Sequence, residues 1–90
     1  GITHFFVRKD GAYLVIVNDG KQSIEVYSLE KQQFVFEGNM GGNFISLNFE
    51  SRTLLVGLAN GQLLTLDVEK TPVQLQKDRI FNNSLNEIRT

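Results

Sequence analysis

Ile24-Glu-Val-Tyr-Ser-Leu-Glu-Lys31 returns thirty-nine residues later as Leu63-Leu-Thr-Leu-Asp-Val-Glu-Lys70. In each copy a short β-rich run closes on Glu-Lys. Gly20 is matched by Gly61 at an offset of 41, and Phe6 by Phe49 at 43. The offset drifts because the turns differ in length. Ile88-Arg-Thr90 echoes Phe44-Ile-Ser46 at 44. Outward from these anchors, helical periodicity is poor and short β-rich runs alternate with polar turns. The first cycle is Ile2–Val7, Ala12–Val17, Ser23–Ser28 and Gln33–Glu37. The second is Phe44–Phe49, Thr53–Leu58, Leu63–Val68 and Val73–Gln76. Strict alternation puts Phe34 and Phe36 on one face with Val35 on the other, and Ile45, Leu47 and Phe49 together. Asn60-Gly61 predicts a two-residue type I′ hairpin with positive φ at both centres. Pro72 suits the start of an outer strand, where no ladder bond is lost.

A period of about 40–45 residues with four strands is the signature of a propeller blade. The expected fold is all-β, with two four-stranded antiparallel blades. Residues 1–37 are the first blade, 38–77 the second, and 78–90 a connection with the start of a third. A blade is a sheet that cannot bury both faces alone. That explains why Leu14-Val-Ile-Val17 and Leu54-Leu-Val56 lack polar alternation: both faces of these second strands are expected to meet other blades.

The composition removes several alternatives. The 90 residues hold no Cys, so there is no disulfide framework, thiolate metal site or cysteine nucleophile. Nine Lys and Arg against ten Asp and Glu, evenly spread, argue against a nucleic-acid footprint or a polybasic membrane patch. The longest wholly apolar run, Leu14–Val17, is far short of the roughly 20 residues that span a bilayer. Gly1–Asp10 carries no signal-peptide pattern.

These residues resemble the WD-repeat β-propeller family along nearly the whole chain. Gly38-Asn39 occupies the place of the family's Gly-His. Phe44-Ile-Ser-Leu-Asn-Phe49 matches its first strand, Gly57 the glycine of its second, and Asn60-Gly61 its Asp-Gly turn. Leu63-Leu-Thr-Leu-Asp67 fits its third strand. Phe6, Asp10-Gly11, Asp19-Gly20 and Ile24–Ser28 fill the same roles in the first copy. Tyr27 and Leu66 stand where the family has Trp, and Asn39 where it has His. Asn18–Tyr27 is also similar to lactonase-like and pyrroloquinoline-quinone-type propellers. The resemblance implies a fragment of a larger ring, taken as seven-bladed, and a rigid platform for protein complexes in the cytoplasm or nucleus. Expected partners are other proteins, including the remaining blades. No cofactor, membrane, nucleic acid or small-molecule ligand is expected.

The loops between second and third strands, and between blades, are the expected binding face. Asn18, Asp19, Asn39, Met40, Asn60, Arg79 and Phe81 are its candidate contact residues, because rigid sheets holding variable loops suit recognition. Asn and Asp in turns also bond their own backbone, which alone explains many of them. His4, the one histidine, reads as a packed or edge residue, placed by the repeat where Leu47 lies in the second copy. Gly38-Asn-Met-Gly-Gly-Asn43 lacks the Lys-Ser/Thr and helix of a phosphate loop, so it reads as a connection between blades. Two alternatives to a scaffold remain: blades of a propeller enzyme, lactonase-like or another hydrolase, and a carbohydrate-binding ring built from two-blade protomers. No catalytic or metal-binding residues are identified.

Overall fold

The computed structural model describes residues 3–78. They form eight strands: β1 (Thr3–Val7), β2 (Tyr13–Asn18), β3 (Ser23–Ser28), β4 (Gln33–Asn39), β5 (Phe44–Glu50), β6 (Thr53–Leu58), β7 (Leu63–Asp67) and β8 (Gln74–Asp78). The strands lie in two antiparallel four-stranded sheets, β1-β2-β3-β4 and β5-β6-β7-β8. Every connection within a sheet joins neighbours, as local turn chemistry allows. No helix occurs among the described residues. Of the expected connection and start of a third blade, 78–90, all but Asp78 lies outside them.

Turns fix the register. The Asn60-Gly61 turn differs from the two-residue form expected: only Gly61 has positive φ, at 90°. Its N–H donates to the Leu58 carbonyl at 3.0 Å, and the Leu58 N–H donates to the Gln62 carbonyl at 2.9 Å. That is a three-residue loop, with the left-handed residue last. The cause is the Asn60 side chain, whose Oδ1 accepts the Gln62 N–H at 3.0 Å. Asp10-Gly11 repeats the device: Oδ1 accepts the Ala12 N–H at 3.0 Å, and Gly11 sits at φ 75°.

Two bulges overturn the expected alternation. Val26 pairs with Phe36 but Tyr27 with Phe34, so Val35 is the extra residue. Val35 and Phe36 therefore pack against the core while Phe34 is left 50 % exposed. In β5, Phe44 pairs with Leu58 and Ser46 with Gly57, which expels Ile45 to 70 % exposure. Leu47 and Phe49 keep their places beside the core.

One core joins the sheets. Tyr13, Val15, Val17, Ile24 and Val26 of the first meet Leu54, Val56, Leu58, Leu64, Leu66 and Val68 of the second, with Met40 between. Each Val or Leu contributes about 1.5–3 kcal/mol relative to exposure. Only one face of each sheet takes part. Leu14, Ile16 and Leu55, on the other faces of the second strands, are half-buried. Those strands were expected to be covered on both sides.

The register also corrects the repeat. Phe5 pairs with Ile16 and Ile16 with Glu25; likewise Leu47 pairs with Val56 and Val56 with Leu64. The first strands therefore superpose at an offset of forty-two, and His4 corresponds to Ser46 rather than Leu47. A slip of one residue exchanges the two faces of a strand. Ile24 and Val26 correspond to Leu63 and Thr65, yet the buried residues of β7 are Leu64 and Leu66. The sheets thus stack front to back, the front of the first on the back of the second. This is heterologous contact, the kind that builds rings.

Candidate functional site

The antiparallel order brings three loops to one end of the molecule: β2–β3, β4–β5 and β6–β7. Hydrogen bonds link each to the next, and one of them, Gln22–Asn43, crosses the seam. The Met40 N–H donates to the Gln22 carbonyl at 2.7 Å, and the Ala59 N–H to the Asn43 carbonyl at 2.8 Å. Gln22 Nε2 donates to Asn43 Oδ1 at 3.1 Å.

Five of the seven candidate contact residues fall at this end. Asn18 Oδ1 accepts the Lys21 N–H at 3.0 Å. Asn39 Oδ1 accepts the Gly41 N–H at 2.8 Å, and its Nδ2 donates to the Lys21 carbonyl at 2.8 Å. Asn60 closes its own turn, as described. The three Asn side chains therefore build the loops they sit on. Met40 departs from expectation: at 3 % exposure it belongs to the core and offers no surface. An unbranched, polarisable side chain suits the irregular gap where the connection crosses the seam. Arg79 and Phe81 lie outside the described residues.

Asp19 has a partner that the sequence did not pair with it. Its Oδ2 lies 2.8 Å from His4 Nε2, with the His4 side chain 58 % and Asp19 39 % exposed. This pair joins the start of β1 to the β2–β3 turn at the loop end. Among the described residues, no three His, Asp or Glu side chains converge as a metal-binding group.

The other end carries a device that sequence reading missed. Arg8, its side chain only 12 % exposed, lies between the Tyr13 ring at 4.7 Å and the Phe49 ring at 5.8 Å. Its Nε donates to Asp10 Oδ1 at 2.9 Å, NH2 reaches Asp10 Oδ2, and NH1 donates to Glu69 Oε2 across the seam at 2.8 Å. The hydrogen bonds from Arg8, and then from the Ala12 N–H, hold the Asp10 carboxyl down at about 2. Arg8 is itself pushed above its ordinary value, chiefly by Asp10. Burial, then the Glu69 charge, raises Tyr13. Lys31 Nζ also crosses this end to Thr71 Oγ1 at 3.3 Å, and Arg52 Nε pairs with Asp67 Oδ2 at 3.3 Å within the second sheet. Asp67 Oδ1 accepts the Glu69 N–H at 3.2 Å, serving its own turn. A groove of about 1050 Å³ opens here, lined among others by Val7, Arg8, Leu47, Phe49 and Glu50. Arg8 looked like part of a polar turn because its partner Glu69 is 61 residues away, beyond any local spacing rule.

Compared with known proteins, the chain matches no family model and no curated protein sequence. Among solved structures it is similar to the beta-propeller domain of Cps50 (Swd1) from Myceliophteria thermophila. The TM-score is 0.63 at 17 % identity, over 94 % of this chain and 30 % of that one. The chain thus spans under a third of that domain's length. The likeness concerns the fold: these two sheets are arranged as blades of a β-propeller.

Proposed function

We propose that the chain forms two blades of a WD-repeat-like propeller that acts as a non-catalytic platform for other proteins, in the cytoplasm or nucleus. In this reading residues 1–37 and 38–77 are the blades and 78–90 lead into a third. One observation carries it. The three loops of one end are linked by hydrogen bonds, one of which, Gln22–Asn43, crosses the seam, and the exposed His4 and Lys21 and the partly exposed Asp19 stand at that end. A fixed scaffold that presents accessible polar groups needs little ordering when a partner docks. The likeness to a propeller domain supports the architecture. Asn18, Asn39 and Asn60 then shape the contact surface, and Asp19 belongs to it; Arg79 and Phe81, outside the described residues, are further proposed contacts.

The test is capture of partners by the complete protein from cell extract, with quantitative mass spectrometry. The paired change His4→Ala and Asp19→Ala is expected to remove at least one stoichiometric partner, with the circular dichroism spectrum unchanged. An unaltered set of partners, or turnover of an ester or lactone that disappears with the same pair, would sink the scaffold reading.

A further inference from the structure

The front-to-back stacking leaves one back face and one front face uncovered, and they differ in chemistry. The back of the first sheet carries an apolar patch: Phe5 at 64 %, Val7 at 53 % and Phe34 at 50 % exposure surround half-buried Leu14, Ile16 and Tyr27. The front of the second is mostly polar: Asn48 pairs with Leu55, Leu55 with Thr65, and Thr65 with Gln76.

The seam that is filled shows what such contacts require. There the blade offering its front supplies a cation, Arg8, and the blade offering its back supplies a carboxylate, Glu69. Glu69 is the last acid of the repeated Leu63–Lys70. Its counterpart in Ile24–Lys31 is Glu30, in the turn between β3 and β4 of the first blade. Glu30 is exposed and has no ion-pair partner among the described residues. Two more carboxylates stand on the same face, with Glu25 directly opposite Glu37 across the β3–β4 ladder. Neither is in an ion pair among the described residues, and like charges so placed repel.

A second copy of this chain would be the simplest cover, its front face laid on this back face. Its chemistry is wrong. Arg8 stands opposite Tyr13 and Glu50 opposite Thr53, so Glu50 occupies the place of Arg8 in the second blade. A second copy would bring Glu50 to Glu30, carboxylate against carboxylate, and polar Asn48 and Thr65 to an aromatic patch.

We infer that the back face of the first blade is covered by a non-identical blade that carries Arg or Lys at the place of Arg8, reaching Glu30, behind an apolar front face. The inference rests on the reading of the chain as part of a larger ring.

The complete protein tests it through carboxyl labelling with a carbodiimide and glycinamide, read by mass spectrometry. Glu30 is expected to label roughly tenfold more slowly than Glu50, as a carboxylate held in a charge-assisted pair. Glu30→Gln is expected to lower the folded-to-unfolded ratio by roughly three- to tenfold. Equal labelling of Glu30 and Glu50, or a Glu30→Gln protein as stable as the parent, overturns the cation. Oligomers in sedimentation that dissociate on Glu30→Gln place a second copy on the face and overturn it as well. Electron micrographs separate the two levels. Particles without a ring refute the propeller reading itself, whereas a ring with an open Glu30 refutes only the partner assigned here.

Discussion

Replacing Arg8 by Ala should loosen the seam more than any other single surface-derived change. The guanidinium is 12 % exposed, so its loss is felt in a largely dry site. Leaving the Tyr13 and Phe49 faces forfeits about 1–2 kcal/mol of cation–π attraction. Removing the stem uncovers apolar surface worth about 1 kcal/mol at 25 cal/mol per Å². The bond to Glu69 adds only about 0.5 kcal/mol, because that carboxylate is 44 % exposed and screened. Together these give a cost of about 3 kcal/mol for Arg8→Ala. Arg8→Met keeps a stem of similar volume and should cost about two-thirds as much. Urea denaturation of the complete protein, followed by intrinsic tyrosine fluorescence, reads the difference as a lower midpoint. A cycle with Glu69→Gln should return a coupling near 0.5 kcal/mol that shrinks in 1 M salt. If Arg8→Ala lies within about 0.5 kcal/mol of the parent, as surface changes ordinarily do, Arg8 is no clamp. If Arg8→Met costs as much as Arg8→Ala, the stem contributes nothing and the attribution above is wrong.

Other expectations follow from the same geometry. Asp10 titrates near 2 when folded, against about 3.9 when unfolded, so folding favours its charged form. Its contribution should be full above pH 4 and fade as pH falls towards 2; Asp10→Asn should flatten the melting temperature over that window. Leu64→Ala, at a fully buried site, should cost about 2–5 kcal/mol in chemical denaturation, and Leu55→Ala on the half-buried face distinctly less. Gly61→Ala should cost about 1–2 kcal/mol because φ is 90° there, and Gly61→Asn less, as measured by melting temperature.

All eight strands were legible in the sequence, with ends misplaced by at most two residues. Short branched runs between polar turns have few other uses, so Tyr13–Asn18 or Thr53–Leu58 could hardly have been anything else. What the sequence concealed was the direction of side chains. A bulge inserts one residue and reverses the alternation beyond it, and nothing in Gln33–Glu37 or Phe44–Phe49 announces one. Aromatic identity misled in the same way: Phe6 and Phe49 align by type, but pairing to β2 and β6 shifts the match by one. Asn18, Asn39 and Asn60 could be placed together at one end because loop position follows from strand order. Their bonds to turn amides are local and follow from Asn chemistry, whereas the Asn39 bond to the Lys21 carbonyl and the burial of Met40 depend on contacts between loops. Arg8 was hidden for the same reason, since its partner comes from the far blade.

The seam is bonded at both ends, by Arg8–Glu69 and Lys31–Thr71 at one and by Gln22–Asn43 at the other. Stacked sheets move most softly by pivoting about their packed faces, and a pivot must stretch one of these two sets of bonds. The pair of blades therefore behaves as a stiff bracket. A load applied at the loops is passed on as displacement of the whole unit, with little absorbed as bending between its halves.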